Sequence, residues 1–160
     1  MIADNLRHSR EIVLSRIEEM SGHCMVPPTP NGGAHTLWVL GHLAYIEAMV
    51  IESIMLGKDN PLEHWKDVFD GDEISPNASD YPSFDEVLLE CRRRRQRTED
   101  LLRSLTEADL DAVSRNVPRG TEDLFGTYRK CLQYVANHWF MHRGQLADAR
   151  RAAGVERMWF

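Results

Sequence analysis

Cysteine is scarce: the 160 residues hold three, Cys24, Cys91 and Cys131, an odd number at wide spacing. That argues against a disulfide framework and against a zinc site made of paired cysteines. Cys91 and Cys131 fall on apolar helical faces, where a free thiol packs as a small hydrophobe. Basic charge is also in deficit, with 19 Lys and Arg against 25 Asp and Glu and a net charge of −6. The balance offers nothing to nucleic acid or to an anionic membrane. No apolar run reads as long enough for a bilayer span. Strand-like alternation, internal repeats, low-complexity tracts and a glycine-rich phosphate loop are all missing from the sequence. The charged, amphipathic opening MIADNLRHSREIVLSRIEEM has the pattern of neither a signal nor a transit peptide. The expectation is one domain in a reducing cytoplasm, without nucleic acid or membrane as a partner. At 42% hydrophobic residues it has enough apolar side chains for a real core.

What is present is helical periodicity. Residues 4–20 repeat Leu6, Ile12, Val13, Ile17 and Met20 at helical spacing, with Gly22 as the expected stop. Residues 23–33 (HCMVPPTPNGG) form a loop, and His8 and His23 read as surface residues outside any apolar frame. Residues 34–56 make the most hydrophobic helix, apolar over a wide arc and closed by Gly57. Residues 57–82 are rich in Pro, Gly, Asn and Asp, a connection long enough to be a crossover or a flap. One helical turn is expected around Leu62 to Phe69, with His64 at the surface and Trp65 as an anchor. Ser83 and Glu86 form a capping box that starts a third helix, running to about Ser104. Its apolar stripe is interrupted by Arg92, Arg93, Arg94, Arg95 and Arg97. Four consecutive arginines circle a helix, so they cannot all face solvent. Arg94 and Arg95 flank the stripe, and Glu47 and Glu52 are their candidate partners, giving a solvated face with one structural pair. Residues 106–113 read as a short capped turn, and Glu122 to Ala153 as the last helix, stopped by Gly154. A terminal Trp159-Phe160 is expected to dock on the bundle or on a partner subunit.

The chemistry lies in the histidines. His138 and His142 are four apart on the apolar stripe of the last helix, roughly 5–6 Å between Cβ atoms and on one face. That spacing suits two imidazoles gripping one divalent ion. A pair of core histidines bonded to carbonyls or carboxylates is the plainer alternative. His42 lies on a core face of the second helix with Trp38, Tyr45, Ile46 and Met49. His35, two turns earlier, reads as partly exposed near the helix start. Four amphipathic helices without strands make a bundle, and bundles build metal sites from inward side chains on facing helices. His42, His138 and His142 would make a set of three, leaving an open position on the ion. Imidazole ligands do not choose among zinc, nickel and iron.

The stretches Trp38-Val39-Leu40-Gly41-His42-Leu43 and His138-Trp139-Phe140-Met141-His142-Arg143-Gly144-Gln145 together resemble the DinB/YfiT-like metalloproteins. That family pairs a W-x-x-x-H-like context in helix 2 with H-x-x-x-H-R-G-Q in helix 4. The resemblance implies an all-α four-helix bundle with a long crossover between helices 2 and 3. It also implies His42, His138 and His142 as metal ligands, and a homodimer. Some members of the family are thiol-dependent transferases or isomerases, and others are labelled hydrolases. An open metal position lowers the pKa of a thiol as it does that of water. Gln145, one turn past His142, is placed to orient bound water or substrate. Arg143 is angled away from the pair, and Gly144 is read as a close-packing position. Glu47 lies off the His42 face, so the stripe offers no carboxylate base. This favours transfer of a low-molecular-weight thiol over hydrolysis, which wants a Glu. A metal-dependent hydrolase and a non-catalytic metal-binding or stress-response module are the alternatives.

Overall fold

Helix α1 (Ile2–Glu18) turns Leu6, Val13, Leu14 and Ile17 inward, the stripe that the periodicity predicts. It ends earlier than Gly22, which lies inside a separate 3-10 turn, Ser21–His23. The structure, a computed structural model, describes residues 1–71 and 73–156. The docking expected of Trp159 and Phe160 lies outside the described residues.

Helix α2 (Thr36–Ala48) has every residue buried and continues directly into a π-helical segment, Met49–Met55. Gly57, at φ +69°, ends it in the left-handed region that only glycine enters freely. One expectation fails here. The helical run Thr36–Met55 is long and apolar enough to cross a membrane by length and composition, with a mean hydropathy of 1.4. Yet every residue of Thr36–Ala48 and five of the seven in Met49–Met55 are buried inside the protein. Its apolarity is that of a central helix packed against neighbours on several sides.

The connection that follows carries local helical turns. A 3-10 turn, Glu63–Trp65, leads into α3 (Lys66–Phe69), and Leu62, Trp65 and Phe69 are buried. Helix α4 (Phe84–Ser104) begins at the Ser83/Glu86 capping box, and α5 (Glu107–Leu110) at a second box between Thr106 and Asp109. The last helix is divided, unlike the single run expected from Glu122. A short α6 (Glu122–Phe125) is followed by a break at Gly126-Thr127, and then by α7 (Tyr128–Ala152). Thr127 caps α7 by accepting from Lys130 N. Long-range backbone bonds hold the break open: Gly126 O accepts from Ser114 N, and Tyr128 N donates to Ala112 O.

Cross-helix pairs give the topology. Glu47–Arg95 and Glu52–Arg97 advance together along α2 and α4, so these two run parallel. Arg10–Glu99 and Arg92–Glu18 set α1 against α4 in opposite directions. His8 meets Phe140, and further along Arg150 reaches Arg16 O and Glu19, which makes α1 and α7 parallel. The bundle is therefore up-down-down-up, all-α, with no strand among the described residues beyond two isolated bridges. Parallel neighbours cannot be joined by a tight turn. Residues 57–83 must carry the chain back along a helix pair about 30 Å long, and this is the crossover that the sequence predicts.

The arginine run resolves as one core member and a charged rim. Arg95 is fully buried, in the gap between Cys91 and Thr98 of the stripe. Arg92 pairs with Glu18, Arg93 and Arg94 with Glu90, and Arg97 with Glu52.

Candidate metal centre

The structure brings His42 of α2 together with His138 and His142 of α7. All three donor atoms lie within 4.8 Å of one another. The ring centroids are 5.1 Å (His42–His138), 4.7 Å (His42–His142) and 4.5 Å (His138–His142) apart. His138 Nε2 and His142 Nε2 are separated by 3.0 Å. Two nitrogens on one ion, each about 2.0–2.1 Å from it, lie roughly 2.9–3.4 Å apart, so this pair is already at ligand spacing.

The outer nitrogens fix which atoms face inward. His42 Nδ1 lies 2.7 Å from Phe69 O, and a carbonyl only accepts, so Nδ1 carries the proton and Nε2 keeps its lone pair. His142 Nδ1 donates in the same way to Gln145 Oε1 at 2.6 Å, freeing its Nε2. Metal-binding histidines are characteristically held by such bonds at the far nitrogen. Gln145 is exposed and acts on the ring of His142. It therefore sits behind the His142 ring, on the side away from His138. Two aromatic rings back the cluster: Trp38 stacks on His42 (4.6 Å, 13°) and Tyr134 on His138 (5.5 Å, 15°).

The electrostatics keep the imidazoles neutral. Burial, then the charges of His142 and His42, pushes His138 down to about 3. Burial and His42 push His142 down to about 4, against the opposing bond to Gln145. Burial lowers His42 as well, opposed by the bond to Phe69. Neutral imidazole is the form that binds a cation. In the metal-free protein these shifts set a pH dependence. The unfolded chain takes up protons near pH 6.5, and the folded chain only near 3 to 4. Stability is then complete above about pH 6.5 and falls as pH drops towards 4. Thermal unfolding of metal-free protein should show a loss of up to about 2 kcal/mol for each of His138 and His142 between pH 6.5 and 5. A His138→Ala variant should show a shallower slope, and an equal slope in both proteins would contradict the assignment.

A feature that sequence reasoning missed is the seat of His42. A Cβ on Gly41 would meet Phe69 Cε1 at 2.1 Å, so the Phe69 ring lies directly on the α2 backbone. The crossover is thus clamped one residue before His42, and the next carbonyl, Phe69 O, holds the His42 ring. A glycine inside a strongly hydrophobic helix, where alanine is about 1 kcal/mol better, was the available signal.

His35 differs from its expected exposure. It is 1% exposed and caps α2, Nδ1 accepting from Trp38 N at 3.1 Å while Nε2 donates to Ser75 O at 3.2 Å. It is clear of the cluster and ties the crossover to the helix start. His8, His23 and His64 are exposed. Gly144 has open space around it and mediates no close packing. Arg143 is half-buried and takes no part in the hydrogen bonds of the cluster. Glu47 is committed elsewhere: Arg95 and the Trp139 indole both donate to its carboxylate.

A family model described as the DinB superfamily matches residues 5–146. Comparisons with curated proteins and with solved structures returned no match.

Proposed function

The chain belongs to the DinB superfamily, and from that premise we propose that it is a metal-dependent enzyme transferring a low-molecular-weight thiol to small electrophiles. The observation that carries this reading is the orientation of the three rings. Phe69 O and Gln145 Oε1 turn the Nε2 lone pairs of His42 and His142 towards His138. His42, His138 and His142 would hold one divalent ion, zinc, nickel or iron, whose Lewis acidity would lower the pKa of a bound thiol to neutral pH.

The protein's own groups support thiol transfer over hydrolysis. Glu47, the buried carboxylate of α2, is held by Arg95 and Trp139 and is not free to take a proton from water. Burial, with the carboxylates of Glu63, Asp70 and Asp67, pushes Tyr45 up to about 12, and burial with Asp70 raises Tyr134, so neither phenol is a base at neutral pH. Burial also raises the thiols of Cys24, Cys91 and Cys131. The nucleophile would accordingly be an exogenous thiol. Its sulfur bonds to the electrophilic carbon, the leaving group departs with its electron pair, and the thiol proton passes to solvent.

Metal analysis of protein purified without a histidine tag tests this. About one ion per chain is expected in the parent, and its loss in His138→Ala and in His142→Ala. Metal-loaded parent should then couple glutathione or cysteine to a chromogenic aryl halide, and the two variants should not. A parent that neither carries metal nor takes it up on titration would overturn the proposal.

A further inference from the structure

Opposite the histidines, the same two helices are joined a second time. Trp139 Nε1 donates to Glu47 Oε2 at 3.0 Å, and both residues are buried. Trp139 directly follows His138 on α7, and Glu47 is five residues past His42 on α2. Five residues rotate a helix by about 140° and advance it about 7.5 Å. The indole–carboxylate bond therefore lies on the core side of the helix pair that carries all three histidines.

Glu47 cannot shift to follow a moving α7. Arg95 Nε and Nη2 hold its carboxylate at 3.0–3.1 Å. Arg95 is in turn fixed by Leu6 O (2.8 Å) and Ser9 Oγ (3.0 Å) of α1, and its guanidinium lies 4.0 Å from the Trp139 ring. All four long helices meet at the Glu47–Arg95 pair.

We infer that Glu47 and Trp139 are positioning residues. Their hydrogen bond sets the axial register of α7 on α2, and so the placement of His138 and His142 relative to His42. A buried Arg–Glu pair alone would tie α2 to α4 without concerning the site. The indole donor is what transfers that fixed point to the ligand-bearing helix. The inference rests on the proposed three-histidine metal site for its functional meaning, and on the helix register alone for its structural content.

The test compares Trp139→Phe, which keeps a ring and deletes the donor, with Glu47→Gln, which keeps an acceptor for the indole but weakens the pair with Arg95. Cobalt(II) titration followed by visible absorption reads the site. Trp139→Phe should bind cobalt at least tenfold more weakly, with an altered ligand-field band. Glu47→Gln keeps the indole acceptor but loosens its anchor on Arg95, so it should weaken cobalt binding and shift the band less than Trp139→Phe does. If stability alone governed the site, the order would reverse, because Glu47→Gln disturbs the buried ion pair. Cobalt binding in Trp139→Phe equal to the parent would overturn the inference. If Trp139→Phe does not fold, benzothienylalanine at position 139 keeps the two-ring shape and removes the N–H alone. Histidine ring NMR signals of the metal-free protein give a reading independent of metal. Those of His42, His138 and His142 should shift in Trp139→Phe, while that of His23 stays in place. A parent that binds no cobalt would remove the proposed function, and the ring signals would still decide the register: shifted signals uphold it, unshifted signals overturn it.

Discussion

Gly41→Ala should destabilise the protein and loosen the metal centre at once. The added methyl would sit 2.1–2.4 Å from three atoms of the Phe69 ring. That ring is fully buried and flanked by Trp65 (centroids 5.1 Å) and Tyr81 (5.6 Å), so it has no vacant rotamer to take. Overpacking of this kind costs about 1–3 kcal/mol. Relief comes by lifting Lys66–Phe69 off α2, which draws Phe69 O away from His42 Nδ1. Loss of such an outer bond to a metal-binding histidine typically costs about 10–100-fold in affinity. Urea unfolding and metal titration of the same variant measure both effects. In a Gly41→Ala/Phe69→Ala double variant the clash is gone, so the two stability losses should fall short of additive. A Gly41→Ala protein with parental unfolding midpoint and metal affinity would show that the crossover does not seat His42.

The second large effect is expected at Arg95. It is fully buried and is ion-paired to Glu47, itself 2% exposed. Arg95→Met leaves that carboxylate buried with the indole as its remaining donor. Breaking a buried pair on one side costs about 3–5 kcal/mol, a large part of the roughly 5–15 kcal/mol that holds a domain folded. Removing both charges, in Arg95→Met/Glu47→Leu, should cost less than Arg95→Met alone. The double variant removes the stranded charge, and what remains is an unsatisfied indole N–H worth about 1–3 kcal/mol. Denaturant unfolding of the parent, both single variants and the double variant gives the coupling energy directly. Equal losses in Arg95→Met and in a surface control such as Arg93→Met would remove Arg95 from the core of the fold.

Local and periodic features were legible in the sequence. Ser83 and Glu86 are three apart and cap α4 as expected, because a capping box is closed within one turn. The three histidines come together because helical pitch alone places each on an inward face. The crossover was legible from its composition. Features set by distant neighbours were not. Gly126 and Thr127 were read as part of one helix from Glu122, and the break there is held by backbone bonds to residues 112 and 114. His35 is buried because the crossover returns over it at Ser75, forty residues later. Glu47 was legible as a candidate partner of an inward arginine, and it pairs with Arg95, but its bond to the Trp139 indole was not, because helical rotation places it away from His42. That rotation is what directs it to the centre of the bundle, towards Arg95 and Trp139. The π-helical segment Met49–Met55 has no sequence signature that we recognise.

The up-down-down-up wiring also bears on how the chain reaches this state. The contact between its first and last long helices, Arg150 with Arg16 and Glu19, closes a loop of more than 130 residues. The contact between the parallel α2 and α4, Glu47 with Arg95, spans 48. A bundle of successive hairpins shares the first closure, but joins its second and third helices through a short turn instead of a crossover. Folding speed falls as contacting residues lie further apart along the chain, and each doubling of a flexible loop adds about 0.6 kcal/mol to its closure. The protein should therefore fold more slowly than an up-down-up-down bundle of equal length, and the three imidazoles, drawn from α2 and from α7 nearly a hundred residues later, should come together late in that process.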